Sequence, residues 1–173
     1  MAGNLEFIKS ASGTSVSSLS VTDCFSAKYN VYQVVIDKLD LATVGYQRVR
    51  VIDSGGVDST ANYDRAFLEM ISGSAFIEGK STNSTEISYF GYGGNASSNL
   101  GGNILYVYNP YDSSSYTFLQ WQSSQYDNTN NWGRGTKGIG VHKVAEQITG
   151  INFFPQTGNY DNITVKVYGL ASN

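Results

Sequence analysis

Side chains able to do chemistry are few and far apart in this 173-residue chain. It has one histidine, His142, and one cysteine, Cys24. Acyl transfer of the Ser–His–Asp or Cys–His kind needs a nucleophile and an orienting carboxylate beside the imidazole, and no G-x-S-x-G elbow occurs. His142 lies in GIGVHKV, which reads as a strand, so a surface or cross-strand histidine is expected. Cys24, in VTDCFS, lacks the basic neighbours that activate a thiol and reads as a small, partly buried apolar residue. A lone cysteine makes no internal disulfide, and one His with one Cys makes no structural zinc site. No metal or cofactor is expected.

Gly133, Gly135 and Gly138 in GRGTKG have the G-x-G-x-x-G spacing of a dinucleotide fingerprint. That motif must follow a strand and open a helix. The strand-like GIGVHK that follows argues instead for a loop re-entering a sheet. Asp53, Asp58 and Asp64 supply the hard oxygens calcium takes, but not at EF-hand spacing. A solvated turn with Asx-type hydrogen bonds is the expectation there. Asp112, Glu146 and Asp161 are too scattered to form the facing carboxylate pair that glycoside hydrolysis requires. The absence of a catalytic constellation argues against an enzyme. N-x-[ST] sequons at Asn83, Asn95 and Asn162 are expected to be unmodified.

Aromatic residues offer the better functional signal. Tyrosine occurs 13 times; it pairs a large contact area with a polar tip and little rotamer entropy to lose. Tyr92, Tyr111, Tyr116, Tyr126 and Trp132 fall in or beside loops and are the candidates for interface or ligand contact. Tyr126 and Trp132 together suggest a platform for stacking a sugar, or an anchor for a protein interface.

The elements that must carry these residues are strands. Ile163, Val165 and Val167 alternate with Thr164, Lys166 and Tyr168, and Val49 and Val51 with Arg48 and Arg50. This is the period of a half-buried antiparallel strand. Leu119 and Trp121 face one way and Phe118, Gln120 and Gln122 the other; Leu68 and Met70 are expected inward. NILYVY (103–108) is apolar on both faces, as for a central strand covered on both sides. SQYDNTNNWGRGTKG reads as the longest polar loop, and GYGGNASSNLGG as a loop unable to hold a helix. The only helical candidate is a short turn near Val144 to Gln147. About ten to twelve strands result, which predicts an all-β, two-sheet antiparallel sandwich of jelly-roll type. One domain over 1–173 is expected, with 1–5 a flexible or anchoring segment.

Charged residues are 14% of the chain and the net charge is −3. Without a basic run, nucleic acid is not the expected partner. No apolar run reaches the roughly 18 residues of a spanning helix, so membrane insertion is not expected. Met1 is followed by AGNLEFIK, without the basic start and apolar core of a secretory signal, which predicts synthesis and folding in a cytoplasm.

YNVYQVVIDKL, ILYVYNPYDSSSYTFLQWQSS, GTKGIGVHKVAEQITGINFF and the closing ITVKVYGL resemble small structural proteins of tailed bacteriophages, in particular phages of marine bacteria such as cyanobacteria. The resemblance covers about residues 6 to 170 and rests on these phrases rather than on a site motif. It implies a virion component without enzymatic activity, made in the host cytoplasm. Its partners would be the major capsid protein or tail components, or further copies of itself. The length suits a capsid decoration (head surface) protein, since no heptads or collagen-like repeats supply a fibre shaft. A tail-fibre or appendage module binding a host surface glycan is the alternative.

Overall fold

A computed structural model describes residues 5–95 and 101–171. The strands in chain order are β1 (Leu5–Val16), β2 (Leu19–Val21), β3 (Val31–Leu41), β4 (Gly45–Asp53), β5 (Gly56–Val57), β6 (Tyr63–Ile71), β7 (Ile77–Ser84), β8 (Ile87–Gly93), β9 (Gly102–Tyr108), β10 (Thr117–Asp127), β11 (Trp132–His142), β12 (Gly150–Pro155) and β13 (Tyr160–Leu170). Every pairing among them is antiparallel. Eight strands form a large sheet in the order β1-β13-β3-β9-β10-β11-β6-β7. The small sheet runs β2-β12-β4-β5, with β8 also on β4. The protein is an all-β, two-sheet sandwich, as its alternation predicts. The flexible or anchoring segment expected over 1–5 falls largely outside the described residues, as do the middle of the Gly- and Asn-rich loop and part of the Asn95 sequon.

The two sheets are held by side chains that period-two alternation turns inward. The large sheet contributes Val34, Ile36, Leu105, Val107, Leu119, Trp121, Val165 and Val167. Val49, Val51, Ile87, Phe90, Ile151 and Phe153 meet them from the small sheet. The alternation read for β4, β10 and β13 is the observed one.

Several expectations are corrected. Leu68 and Met70 point outward, 42% and 36% exposed, while Phe67, Glu69 and Ile71 are buried. Phe67 is drawn in because it faces Gly79 across the ladder and stacks on Tyr89, with ring centroids 4.3 Å apart. β9 is central in the large sheet but covered on one face only, since Ile104 is 42% exposed. The supposed loop from Ser124 is a tight hairpin: Asp127 faces Trp132, and the ladder continues through both β10 and β11. Asp127 makes that turn by accepting the amides of Thr129 (3.0 Å) and Asn130 (3.3 Å), and Asn131 takes a left-handed φ of 56°. No helix forms at Val144 to Gln147, which is irregular chain between β11 and β12.

The glycines of GRGTKG lie on a strand, not in a phosphate-binding loop. A Cβ at Gly138 would sit 2.2 Å from Trp121 Cζ2, and one at Gly140 would sit 2.4 Å from Ile87 Cδ1. The strand is glycine-rich here so that the Trp121 indole and Ile87 can lie directly on its backbone.

Candidate functional site

The chemistry-bearing side chains gather in two buried clusters. In the first, His142 ends β11 and is fully buried rather than superficial. Its Nε2 lies 2.6 Å from Asp58 Oδ2 and 3.8 Å from Glu146 Oε1. The other Asp58 oxygen accepts Thr60 N (2.7 Å) and Thr60 Oγ1 (2.6 Å), the expected Asx turn, but buried rather than solvated. Tyr63 packs on the imidazole, donates to Asp58 O and accepts Val51 N. Glu146, read as isolated, is thus brought beside Asp58. Burial pushes the Asp58 carboxyl up, but the Thr60 bonds and His142 outweigh it and leave it low. Burial and the nearby Asp53 and Asp58 raise Glu146.

The three residues have the donor set of a metal site. Their surroundings do not suit one. His142 Nδ1 is buried without a partner. Ligation through Nε2 would force the proton onto Nδ1 and leave an unsatisfied N–H in the interior, whereas metal-bound imidazoles normally donate that proton to a second group. With the proton on Nε2 and donated to Asp58, only a lone pair is left unpaired. The cluster is a structural strut tying the 58–60 turn to β11. The one cysteine stands elsewhere: Cys24 is buried, donates to Val21 O at 3.2 Å, and burial pushes its thiol up to about 12.

In the second cluster, Arg134 on β11 reaches inward to Glu69 (Nη1–Oε1, 3.3 Å) and Asp127 (Nε–Oδ2, 3.2 Å). Both carboxylates are fully buried. Tyr46 OH donates to Glu69 Oε2 at 2.8 Å, and Asn130 Nδ2 donates to Asp127 Oδ2 at 2.9 Å. Burial raises Asp127, but its bonds to Asn130 and Thr129 and the Arg134 charge outweigh burial and bring it down. One guanidinium joins two carboxylates with no exposed surface, so neither can reach a glycosidic bond. The clusters are interior cross-braces.

Tyr92 belongs to this second brace. It is 8% exposed, with the Arg134 guanidinium 4.2 Å above its ring centroid, so it is not the contact residue its loop-like sequence suggests. Tyr111 is half-buried, whereas Tyr116 and Tyr126 are 46% and 40% exposed. Trp132 folds against Gly73, where an added Cβ would stand 2.0 Å from its Nε1. The register puts Tyr126 opposite Gly133 and Trp132 opposite Asp127, so the two rings leave opposite faces of the hairpin. No Tyr126–Trp132 platform forms.

The surface left for contact is the outer face of the large sheet. Exposed there are Leu68 and Met70 on β6, Ile104 on β9, Phe118 on β10 and Ile139 on β11, with Phe76 just before β7; Ile77 pairs with Glu69 and so stands on the other side of this edge strand. Phe76, 67% exposed, and Met70 line one shallow cavity of about 380 Å³ with Gly133 and Gly135. Tyr106, Tyr108, Gln33, Gln120 and Gln122 pave the middle of the same face. Sequence reading missed these residues because it placed β9 under cover.

No protein-family model matches the chain, and no curated protein matches it by sequence. Among solved structures it is similar to a fructofuranosidase of Schwanniomyces occidentalis complexed with fructosylnystose, at 9% identity and a TM-score of 0.22. That match covers 99% of this chain but 35% of the other, so the chain spans about a third of the neighbour's length. A likeness this slight carries no argument about activity.

Proposed function

We propose that the chain is a non-enzymatic structural protein of a bacteriophage particle, most simply a head-surface decoration protein bound to the capsid lattice. Its resemblance to tailed-phage structural proteins supports the particle. The observation that carries the mode of action is the apolar corner formed by Phe76, Met70 and Leu68 on the outer face, from 36% to 67% exposed. Taking about 200 Å² for a large side chain, these three together leave on the order of 300 Å² uncovered. That is the size of the largest apolar patch on an ordinary monomer, a patch that is often functional. His142, Cys24 and the buried acids Asp58, Glu69 and Asp127 are engaged inside the sandwich, which supports a scaffold over a catalyst.

Docking by such a corner is multiplied across a symmetric lattice, so modest single-site affinity suffices. The test is co-sedimentation of purified protein with particles lacking it. Wild type should bind saturably, and Phe76→Ser with Met70→Ser should weaken binding tenfold or more while the urea midpoint stays near wild type. A protein that never associates with particles, and antibodies that label no part of them, would overturn the reading.

A further inference from the structure

Tyr106 and Tyr108 stand two apart on β9 and share its outer face. Their hydroxyls are bonded sideways. Gln33 Nε2 on β3 donates to Tyr106 OH at 2.9 Å, and Tyr108 OH donates to Gln120 Oε1 on β10 at 3.1 Å. Each phenol leans toward the strand that holds its hydroxyl, and both side chains stay half-buried on this face. The two ring centroids are 6.5 Å apart with 31° between planes, a nearly continuous pavement. On one side lies a groove of about 580 Å³ bordered by Tyr106, Gln120, Gln122 and Ser124. On the other lies one of about 480 Å³ bordered by Tyr108, Phe118 and Ile139. Gln120 borders both, so they form one diagonal trough from β3 to β7. Six strands at the usual spacing make it about 24 Å long.

We propose that this trough binds an uncharged glycan chain, with Tyr106 and Tyr108 as its stacking floor. A pyranose has an apolar C–H face that fits a flat ring and a rim of hydroxyls that fits amides. Gln33 keeps a free carbonyl oxygen, Gln120 a free amino group, and Gln122 and Ser124 add further polar groups. Because the tyrosines hold two of the amides in place, little side-chain entropy is lost on binding. The walls carry little net charge: Asp37 is taken by Lys166 and Asp64 by Lys143. Arg65 also borders the trough, but its guanidinium lies over the Tyr89 ring and donates to Ser84; Lys80 and Lys137 alone are too few for the basic track that stacked single-stranded nucleic acid requires. The trough's length selects a polymer rather than a free monosaccharide. The Phe76 corner adjoins the trough at Gln122 and Ser124 but supplies none of its tyrosine floor, and the site stands whether or not the chain belongs to a phage particle.

The experiment is a glycan array of neutral and acidic oligosaccharides, followed by calorimetry on the best ligand. Wild type should bind at least one uncharged oligosaccharide of several units, unchanged by added salt. Tyr106→Ala and Tyr108→Ala should each weaken binding tenfold or more with near-native circular dichroism. The Tyr→Phe versions, which keep the ring and release the amide, should lose only a few-fold. Phe76→Ser should leave glycan binding intact, which separates this site from the docking corner. No binding to any uncharged glycan, full affinity in the double alanine variant, or binding only to acidic polymers that vanishes in salt would each overturn the proposal.

Discussion

Arg134 shows how much one side chain can hold. It is the cation between Glu69 and Asp127, both fully buried, and it lies over Tyr92. Breaking a buried ion pair from one side costs far more than the pair contributes, because the remaining charge stays desolvated. Arg134→Met should therefore destabilise the protein by about 3–5 kcal/mol, read as a drop in the urea midpoint with little change in slope. Restoring neutrality with Glu69→Gln and Asp127→Asn in the same chain should recover part of that loss. A single substitution within about 1 kcal/mol of wild type would show that water reaches the two acids.

At the scale of elements, the glycines of β11 set how closely the sheets approach. Gly138→Ala drives a Cβ into Trp121 and should cost about 1–3 kcal/mol as overpacking. Gly133→Ala, whose nearest atom would be Ser72 Oγ at 3.7 Å, should be nearly neutral. Equal effects in a pair of urea titrations would refute that account. These same glycines mark the limit of what the sequence discloses. Strand alternation in β4, β10 and β13 was legible because each carries one apolar and one polar face. The β10–β11 hairpin was not, because its Asp, Asn and Gly residues have weak local preference for strand and are held by their neighbours. Leu68 and Met70 misled for a related reason: the partners that draw Glu69 and Phe67 inward are Arg134, 65 positions away, and Tyr89 from another sheet. The His142–Asp58 strut joins residues 84 apart and has no local signature at all.

Across the whole molecule, the carboxylates decide the response to acid. Burial raises the carboxyls of Asp58, Glu86 and Asp127, but bonds from Thr60, Thr85 and Asn130, with His142 beside Asp58 and the arginines beside Glu86 and Asp127, outweigh it and leave all three low. A folded value below the unfolded one means the unfolded chain takes up more protons as pH falls. The stability these groups contribute is thus present above about pH 4 and lost as acid titrates them in the fold. Asp40 and Glu146 are raised, chiefly by burial, and act in the opposite sense just above that window. Melting temperature should therefore fall steeply below about pH 4; a flat profile to pH 2 would contradict this. One further consequence comes from the register of β1 on β13, which sets Leu5 opposite Leu170. The two strands enter and leave at one corner, with their ladder bonds perpendicular to the chain. Tension between those two points would peel β1 away rung by rung, like a zipper, instead of shearing every rung together. The sandwich should thus yield to a small pull at that corner while resisting a much larger one along its strands.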